Sequence, residues 1–480
     1  MKLSEVIKNI DYELLQGEDI DITHIAYDSR KTIQGSLFIC ISGFVTKGFD
    51  YIEDVIKNGA KAIIVEKTIA LSDDITIIKV KDARVAMAIA ASNFYHNPSK
   101  KINTIGITGT NGKTTTTFLI GYILKEYKHK VGIIGTIENY IGDKVLKSER
   151  TTPESLDLQK LFYNMVNENI DDVVMEVSSH SLALNRVAGC LFEIGIFTNL
   201  TQDHLDFHKT MENYRDAKSK LFSICKRGII NCDDGASKYI AHSASCDIIT
   251  FGIDNKADFR AKNIKLTSQG VNFDVCIDNE DVNFFLGIPG KFSVYNALGA
   301  IAACYSMGIG VNTIKEGLKN SKGVLGRCQS LQSKHGFSII VDYAHTPDGL
   351  KNIITTVNEF AIGRTMVVFG CGGDRDKTKR PIMGEIAGNL SDFCIITSDN
   401  PRSEEPDKIL LDIEEGLLKT NCKYVKIADR KKAIKYAIDS AQKDDVIIVA
   451  GKGHENYQIF KDKTIHFDDV EIVNLFLQED

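Results

Sequence analysis

Residues 106–124, GITGTNGKTTTTFLIGYIL, join an apolar strand to a helical pattern through a glycine-rich loop. The glycines of this loop would offer backbone N–H groups to a phosphate, Lys113 would add an ammonium, and Thr114 has the position of a magnesium-binding hydroxyl. The sequence of this loop is unusual, because Ile107 stands five residues before Gly112, where the common phosphate-loop pattern has glycine. The order strand, loop, helix still predicts a nucleotide-phosphate site.

Two further residues with metal-binding chemistry follow neighbouring apolar runs. Glu176 ends the run DVVMEV, and His204 lies in TNLTQDHLDFH after the next predicted strand. The carboxyl ends of parallel strands share one edge of a sheet, so both side chains are expected near the phosphate loop. Glu176 is therefore predicted as a metal ligand. A GTPase switch is not favoured, because no DxxG stands between the loop and the guanine-like NKAD at 255–258.

Composition favours a multidomain enzyme of small molecules. The chain has 480 residues, 43% of them hydrophobic, and a net charge of −6, which argues against nucleic acid as the main partner. Its 11 cysteines form no CxxC pair, so reduced thiols are expected rather than a zinc site. The charged N-terminus has no signal-peptide pattern, and no apolar run approaches about 18 residues. We therefore expect a cytoplasmic protein without membrane insertion.

Three α/β patterns follow one another along the chain. Residues 1–98 predict a small α/β domain, and 99–328 a parallel-sheet domain with a small added β-sheet between 259 and 290. Residues 329–480 predict a Rossmann-like domain with the parallel strands FSIIVDYA, TMVVFGCGG, FCIITSDNP and DVIIVAGKG. Ligands of such sheets bind beyond the carboxyl ends of the strands, so the four loops after these strands are expected to form a site.

The motifs GTNGKTT, MEVSSH, TNLTQDHLD, YRDAKSKLF, DYAHTPD, GCGGDRDKTKRP and SDNPR occur in that order, and with them the chain resembles the Mur ligases of peptidoglycan synthesis. The resemblance runs from residue 28 to 455. It explains the unusual sequence of the phosphate loop, because the loop has the sequence GTxGKT in this family. It implies an N-terminal UDP-sugar domain, a central ATPase domain and a C-terminal domain for the amino acid. The implied reaction is ATP-dependent: the D-glutamate γ-carboxylate of UDP-MurNAc-L-Ala-D-Glu becomes an acyl phosphate, which an incoming amine attacks.

The resemblance also implies site residues for ATP and two Mg²⁺ ions. Thr114 and Glu176 would bind one ion, and His204 and Lys218 the other, with Lys218 converted by CO₂ to a carbamate. Without the resemblance, Lys218 is interpreted as a helix-surface lysine. The implied ATP contacts are Gly109, Thr110, Asn111, Gly112, Lys113, Thr114, Thr115, Asn296, Arg327, Asp342 and His345. The alternatives for two of these are helix packing for Asn296 and a turn at HTPD.

For the UDP-sugar peptide the chain departs from the family at two places. Phe44, Val45 and Thr46 stand where many relatives have His-Gln-Ala, and Leu184 stands where glutamine is frequent. The implied contacts are Tyr27, Ser29, Phe44, Val45, Thr46, Arg150, Thr151, Thr152, Ser178, Leu184 and Arg186.

The stretch TSDNPRSEEP predicts which amino acid is added. A local interpretation is an Asn-Pro turn and a helix start capped by Ser403, but this does not explain Arg402. Meso-diaminopimelate differs from lysine by a carboxylate on its far carbon, and a guanidinium can bind that group through two hydrogen bonds. In the family, DNPR accompanies diaminopimelate enzymes. The implied contacts are Arg375, Asp399, Asn400, Pro401, Arg402, Gly451 and Glu455.

Three alternatives stay open at this point. A lysine-adding ligase or a folylpolyglutamate synthetase would use the same acyl-phosphate chemistry, although the second has no need of a UDP-sugar domain. A P-loop ATPase that acts as a switch or binding module would hydrolyse ATP without an amino acid. The family resemblance implies a monomer.

Overall fold

A computed structural model describes residues 1–43, 48–69 and 75–479 of the chain. These residues form two compact units, one made of Met1–Asp258 with Gly299–Ile309 and the other of Phe259–Leu298 with Gly310–Asp480. Among the described helices, none combines the length and the apolar character that crossing a bilayer requires. The predicted α/β class is confirmed, since every part of the chain pairs strands with helices. The boundaries 1–98, 99–328 and 329–480 stay predictions.

The N-terminal part of the first unit is a mixed sheet with helices packed against it. Its strand order is β1-β5-β4-β3-β2, in which only β1 and β5 pair antiparallel. Asp82 begins the longest helix by accepting hydrogen bonds from the backbone of Arg84 and Val85, and the alanines of that helix are buried. The elements are β1 (Tyr12–Gln16), β2 (His24–Ala26), β3 (Ser36–Ile39), β4 (Ala60–Val65), β5 (Thr76–Val80), α1 (Leu3–Val6), α2 (Ile52–Lys57) and α3 (Ala83–Phe94).

The central part of the first unit is built on parallel strands in the order β13-β12-β11-β6-β10-β7, followed by the antiparallel β8 and β9. The predicted parallel sheet is confirmed, and the apolar residues of β6, β7, β10 and β11 are buried on both faces. The elements are β6 (Asn103–Thr108), β7 (Val131–Ile134), β8 (Glu138–Ile141), β9 (Lys144–Lys147), β10 (Asp172–Glu176), β11 (Phe192–Phe197), β12 (Cys225–Asn231), β13 (Asp247–Gly252), α4 (Lys113–Glu126), α5 (Ser155–Asn167), α6 (Ser179–Ala183), α7 (Leu205–His208), α8 (Met211–Ser219) and α9 (Ser237–Ser243).

From residue 259 onward the chain forms a small antiparallel sheet and then a second parallel one. The small sheet is β14 (Phe259–Thr267), β15 (Gly270–Ile277) and β16 (Glu280–Leu286), as the short runs predicted. The C-terminal sheet has the order β17-β18-β22-β19-β20-β21 with only β17 antiparallel, so the four predicted strands are confirmed as parallel.

The strands of the C-terminal sheet and the remaining elements of this stretch have the following bounds. They are α10 (Lys291–Ser306), α11 (Val311–Lys319), β17 (Gln329–Gln332), β18 (Ser338–Asp342), α12 (Pro347–Asn358), β19 (Thr365–Phe369), α13 (Lys379–Leu390), β20 (Phe393–Ile396), α14 (Pro406–Leu417), β21 (Lys423–Lys426), α15 (Arg430–Ser440), β22 (Val446–Ala450), β23 (Tyr457–Ile459), β24 (Thr464–His466) and α16 (Asp469–Glu479).

A buried ion pair joins α15 to α16 below the end of β22. Arg430 and Asp469 are both fully buried, and two hydrogen bonds of 2.7 Å connect Nε and Nη2 to the carboxylate. Nη2 also donates to the carbonyl of Ala450, the last residue of β22. The pair therefore fixes the point at which the loop after β22 begins.

Replacing Asp469 by Asn tests how much this ion pair stabilises the fold. The substitution leaves a buried guanidinium without its counter-charge, so the free energy of unfolding should fall by about 3–5 kcal/mol. Asp439→Asn is the control, because it breaks the exposed Lys435–Asp439 pair of the same helix and should cost less than about 0.5 kcal/mol. Urea unfolding followed by circular dichroism measures both; equal losses would contradict the assignment.

Candidate active site

The phosphate loop lies between β6 and α4, as predicted. Gly112 has a φ of +86°, and α4 begins at the next residue, Lys113. A Cβ at Gly109 would lie 1.8 Å from the hydroxyl of Thr198, so only glycine fits there. Lys113 Nζ donates to the carbonyls of Gly109 and Thr110, both at 2.9 Å. The ammonium is thus already held over the loop whose N–H groups would receive phosphate.

Glu176, the last residue of β10, is buried at 1% exposure beside this loop. Its carboxylate accepts hydrogen bonds from Thr114 Oγ1 at 2.9 Å and from the backbone N and Oγ1 of Thr136 at 2.8 and 3.1 Å. Within the described part of the chain no basic side chain lies at ion-pair distance from it. A buried carboxylate held by hydroxyls but lacking a cation fits a divalent ion with oxygen ligands.

Lys218 is almost completely buried, at 1% exposure, so its interpretation as a surface lysine is wrong. It lies on α8 with Nζ 4.4 Å from the ring centroid of Tyr214, and no hydrogen bond or ion pair joins the ammonium to another described residue. Burial, followed by the nearby charge of Lys113, lowers the pKa of Lys218 well below its usual value. A desolvated amine of lowered pKa is in part neutral and therefore nucleophilic.

His204 lies edge-on to the ring of the same tyrosine. Its ring centroid is 6.2 Å from that of Tyr214, and its side chain is 47% exposed. His204 has a left-handed backbone, with φ of +52°, directly before α7. The structure therefore places both predicted ligands of the second ion, His204 and Lys218, around one aromatic ring.

Sequence reasoning missed several residues that support this group. His208 is buried and shares a 2.9 Å hydrogen bond between Nε2 and the hydroxyl of Ser179. Burial lowers the pKa of His208 to about 4, with a further contribution from His180, so the ring is neutral at pH 7. The Tyr214 hydroxyl lies 3.2 Å from Thr110 Oγ1 and so connects α8 to the phosphate loop. The closely spaced histidines of MEVSSH and DHLDFH were the available signal.

The residues predicted to bind the UDP-sugar peptide gather partly around Glu176 and partly around a second buried carboxylate. Thr152 Oγ1 donates to the Glu176 carbonyl at 2.8 Å and accepts from the backbone of Ser178 at 3.1 Å. Thr151 Oγ1 lies 3.0 Å from Thr136 Oγ1. Arg186 donates from Nη1 to the Thr152 carbonyl at 3.1 Å. These four predicted contacts thus adjoin the predicted metal ligand.

Glu154 is the second carboxylate, and three guanidinium groups surround it. Arg84, Arg150 and Arg186 lie 3.0, 2.6 and 2.9 Å from its oxygens. One acid and three bases leave an excess of positive charge, which suits an anionic substrate. Sequence reasoning missed both Arg84 and Glu154.

The other predicted contacts of this substrate have less direct support. The Tyr27 hydroxyl donates to Asp157, and burial raises the pKa of Tyr27. Ser29 begins a short 3₁₀ helix, and Leu184 ends α6. Phe44, Val45 and Thr46 lie outside the described residues.

In the second unit, three predicted ATP contacts meet near the end of β18. Asp342 is half-buried and accepts hydrogen bonds from the backbone of Cys328 and Ala344 at 2.8 and 2.9 Å, and the loss of hydration around its carboxylate raises its pKa. Arg327 lies over the Tyr343 ring, 5.0 Å from its centroid, and the ring of His345 is 4.5 Å from the same ring. The stretch HTPD is not only a turn, because Thr346 caps α12 and Pro347 begins it. Asn296 is buried in α10.

The predicted amino-acid site is assembled by the loops after β19, β20 and β22. The side chain of Asn400 donates to Glu455 at 2.9 Å, and its oxygen accepts from Lys452 at 3.2 Å. A Cβ at Gly451 would lie 2.7 Å from the Asp399 carboxylate. Sequence reasoning missed Lys452, which is fully buried and whose pKa burial lowers. Acidic and basic side chains therefore lie next to one another in this site.

Arg402 extends from the loop after β20 toward the loop after β19. Its Nη1 donates to the Gly373 carbonyl at 2.8 Å, and no carboxylate of the described residues lies at ion-pair distance from the guanidinium. Among the described residues, Arg375 donates only to the carbonyl of its neighbour Asp374. The two arginines therefore have donors to spare for a carboxylate ligand. The expected cap Ser403 is wrong, because α14 begins at Pro406 after Glu405 and Ser403 bonds to Asp374 instead.

Three family models match the chain. Residues 21–95 match the model described as the catalytic domain of the Mur ligase family, 107–304 the Mur ligase middle domain, and 326–453 the glutamate ligase domain of Mur ligases.

Curated relatives and a solved structure match over the full length. A UDP-N-acetylmuramoyl-L-alanyl-D-glutamate–2,6-diaminopimelate ligase of Clostridium acetobutylicum is 53% identical and covers 100% of both chains. A ligase of the same description from Clostridium botulinum is 51% identical, again over 100% of both. A solved structure of such a ligase superposes with a TM-score of 0.77 at 29% identity, covering 100% of this chain and 99% of its own. The chain belongs to the Mur ligase family.

Proposed function

We propose that the chain is an ATP-dependent ligase that joins meso-2,6-diaminopimelate to the D-glutamate γ-carboxylate of UDP-N-acetylmuramoyl-L-alanyl-D-glutamate. Full-length relatives that are more than 50% identical and described as this ligase support the reaction. The observation that carries the choice of amino acid is Arg402, whose guanidinium donates to the carbonyls of Gly373 and Asn400 and has no carboxylate at ion-pair distance among the described residues. We expect a monomer, as the family resemblance implies.

The central site has the groups that phosphoryl transfer to a carboxylate requires. A carboxylate repels the phosphoryl donor until positive charge neutralises both. Lys113 would exchange the carbonyls of Gly109 and Thr110 for phosphate oxygens, and Thr114 and Glu176 would hold one Mg²⁺. A bound Mg²⁺ would neutralise charge on the transferring phosphoryl group. Thr136 keeps the Glu176 carboxylate pointed toward Thr114 through its two hydrogen bonds.

Lys218 is the residue that would complete the second metal position. The neutral form of this buried amine can add to CO₂ with loss of one proton to solvent, and the resulting carbamate would place an anion beside Lys113. The carbamate oxygens and His204 would then hold the second Mg²⁺. This assignment explains why a lysine without a hydrogen bond is tolerated inside the protein, since the modified side chain gains charged partners.

The same arginine argues against the alternative that the ligase adds lysine. Lysine and diaminopimelate both carry an ammonium on the far carbon, but lysine has a hydrogen where diaminopimelate has a carboxylate, so binding lysine would leave the guanidinium of Arg402 unpaired. An unpaired and partly buried charge costs about 2–5 kcal/mol, which corresponds to at least tenfold discrimination. Glu455 and the Gly451 carbonyl would receive the far ammonium of diaminopimelate, and Arg375 a carboxylate.

A substrate panel tests the proposed reaction directly. Purified protein with ATP, Mg²⁺ and UDP-MurNAc-L-Ala-D-Glu should release phosphate with meso-diaminopimelate and at least tenfold less efficiently with L-lysine, because only the former pairs with Arg402. Phosphate release is measured with each amino acid in turn and with none. Preference for lysine would overturn the specificity, and release that needs no amino acid would favour an ATPase switch.

Truncating Arg402 tests the assigned carboxylate contact. Arg402→Ala should raise the KM for meso-diaminopimelate by roughly 30-fold or more, because a charge-assisted pair is lost, while the KM for ATP changes less than about twofold. Arg364→Ala is a control at the opposite end of the same sheet, where Arg364 pairs with Asp445 before β19 and β22 begin. Parallel losses for ATP and amino acid in Arg402→Ala would show a structural role.

Replacing Lys218 tests the carbamate. Lys218→Ala should lose activity by about 10³-fold and recover part of it with millimolar acetate or propionate, which would supply the missing carboxylate in the cavity. The exposed neighbour Lys220 gives the matched control, Lys220→Ala, which should keep its activity. An NMR carbamate signal from ¹³C-bicarbonate, present in the unsubstituted protein and absent from Lys218→Ala, is the independent readout. Full activity of Lys218→Ala would contradict the proposal.

A further inference from the structure

Two residues with left-handed backbones face each other in the amino-acid site. Arg402, in the loop after β20, has φ of +52°, and Asp374, in the loop after β19, has φ of +53°. A non-glycine residue in this conformation is strained and persists only where surrounding contacts hold it. The contacts that hold Arg402 are therefore part of how its guanidinium is aimed.

The side chain of Asp374 supplies the first set of these contacts. Its carboxylate accepts a hydrogen bond from the Ser403 hydroxyl at 2.6 Å and another from the Ser403 backbone N–H at 3.2 Å. Ser403 directly follows Arg402, so these bonds fix the peptide on the C-terminal side of the arginine. The Arg402 backbone N–H, on the other side, donates to the Ile459 carbonyl at 3.0 Å.

Glu404 also connects the two loops, but here the loop after β19 donates the hydrogen bond and the loop after β20 accepts it. Its carboxylate accepts the backbone N–H of Asp374 at 2.7 Å. Two hydrogen bonds from the fully buried Arg380, at 3.1 and 2.9 Å, hold that carboxylate in place. Arg380 also donates to the Gly372 carbonyl at 3.2 Å and to Asp412 at 2.7 Å. Arg380 thus anchors both loops to the helices behind them.

The loops touch so closely that no side chain fits between them. A Cβ at Gly373 would lie 1.9 Å from the Pro401 carbonyl, and one at Gly372 would lie 2.9 Å from Nη1 of Arg402. Gly373 exchanges hydrogen bonds with the other loop, donating to the Asn400 carbonyl and accepting from Arg402. A shift of one loop must therefore move the arginine.

We propose that Asp374, Ser403 and Glu404 are positioning residues that clamp the loops after β19 and β20 and thereby aim Arg402 at the far carboxylate of the amino-acid substrate. The inference deepens the proposed function and rests on it. None of the three side chains is assigned a contact with substrate. Their effect is on the orientation of Arg402, so weakening the clamp impairs recognition of the amino acid and leaves the ATP site unaffected.

A pair of matched substitutions tests the clamp. Asp374→Asn removes the charge that receives both Ser403 donors, and asparagine tolerates the left-handed backbone, so the strain at residue 374 stays unchanged. Asp376→Asn is the control two residues away, since Asp376 accepts the corresponding N–H and hydroxyl donors of Thr378 at 2.8 and 2.6 Å. The KM for meso-diaminopimelate should rise roughly tenfold in Asp374→Asn and less than about twofold in Asp376→Asn, with kcat and the KM for ATP unchanged in both.

A second pair leaves the net charge unchanged and so separates orientation from electrostatics. Ser403→Ala loses one hydroxyl that donates to Asp374, and Thr378→Ala loses the equivalent hydroxyl that donates to Asp376. Only Ser403→Ala should raise the KM for meso-diaminopimelate, by roughly fivefold, with an unchanged midpoint of thermal unfolding.

The outcomes distinguish failure of the clamp from failure of the proposed function. If the unsubstituted protein needs meso-diaminopimelate but each test variant behaves like its control, the clamp is overturned and the ligase reaction stands. If the KM values for ATP and for the amino acid rise together, the three residues support only the fold. If the unsubstituted protein ignores meso-diaminopimelate, both proposals fall.

Discussion

Charged side chains that lack a counter-charge are the constraint on which both candidate sites depend. Glu176 is buried with only hydroxyl and amide donors, Lys218 is buried beside a lysine, and Arg402 has no carboxylate partner in the described chain. Removing such groups from water is unfavourable unless pairing follows. The folded chain alone gains nothing from them. The proposed Mg²⁺, carbamate and substrate carboxylate would supply the missing charges, as the proposed carboxylate-activating chemistry requires.

Parallel sheets supply the positions for these charges. Strands β6 and β10 end side by side, so the phosphate loop and Glu176 meet without long connections, and β19, β20 and β22 place the three amino-acid loops in the same way. The strands themselves are apolar on both faces and buried, which makes their ends rigid. Glycines without a Cβ then let one loop approach another, as at Gly109 and Gly373. Because the strand ends are rigid and the loops lie close together, a single carboxylate can accept hydrogen bonds from two different elements.

The sequence predicts the strands, the phosphate loop and Glu176 because each follows from a local pattern, an apolar run ending in a polar or glycine-rich turn. It does not predict that Lys218 is buried, since which face of α8 packs inward depends on residues distant in the chain. The cap expected at Ser403 is wrong for a related reason: a hydroxyl one turn before a helix has a better acceptor in Asp374, and that acceptor is 29 residues away. Thr136, Glu154 and Lys452 were missed because their neighbours are likewise brought in by the fold.

The charged pairs of the C-terminal domain fall into two physical classes, and the difference separates support from recognition. Arg430 with Asp469, and Arg380 with Glu404, are matched pairs whose donors and acceptors face each other, so they hold strand ends and loops in place. Arg402 and Arg375 lie in the loops that those pairs hold, and within the described part of the chain each donates hydrogen bonds only to backbone carbonyls. A carbonyl orients a guanidinium without neutralising it. The matched pairs therefore fix the geometry, and the unmatched arginines keep their charge available for a ligand.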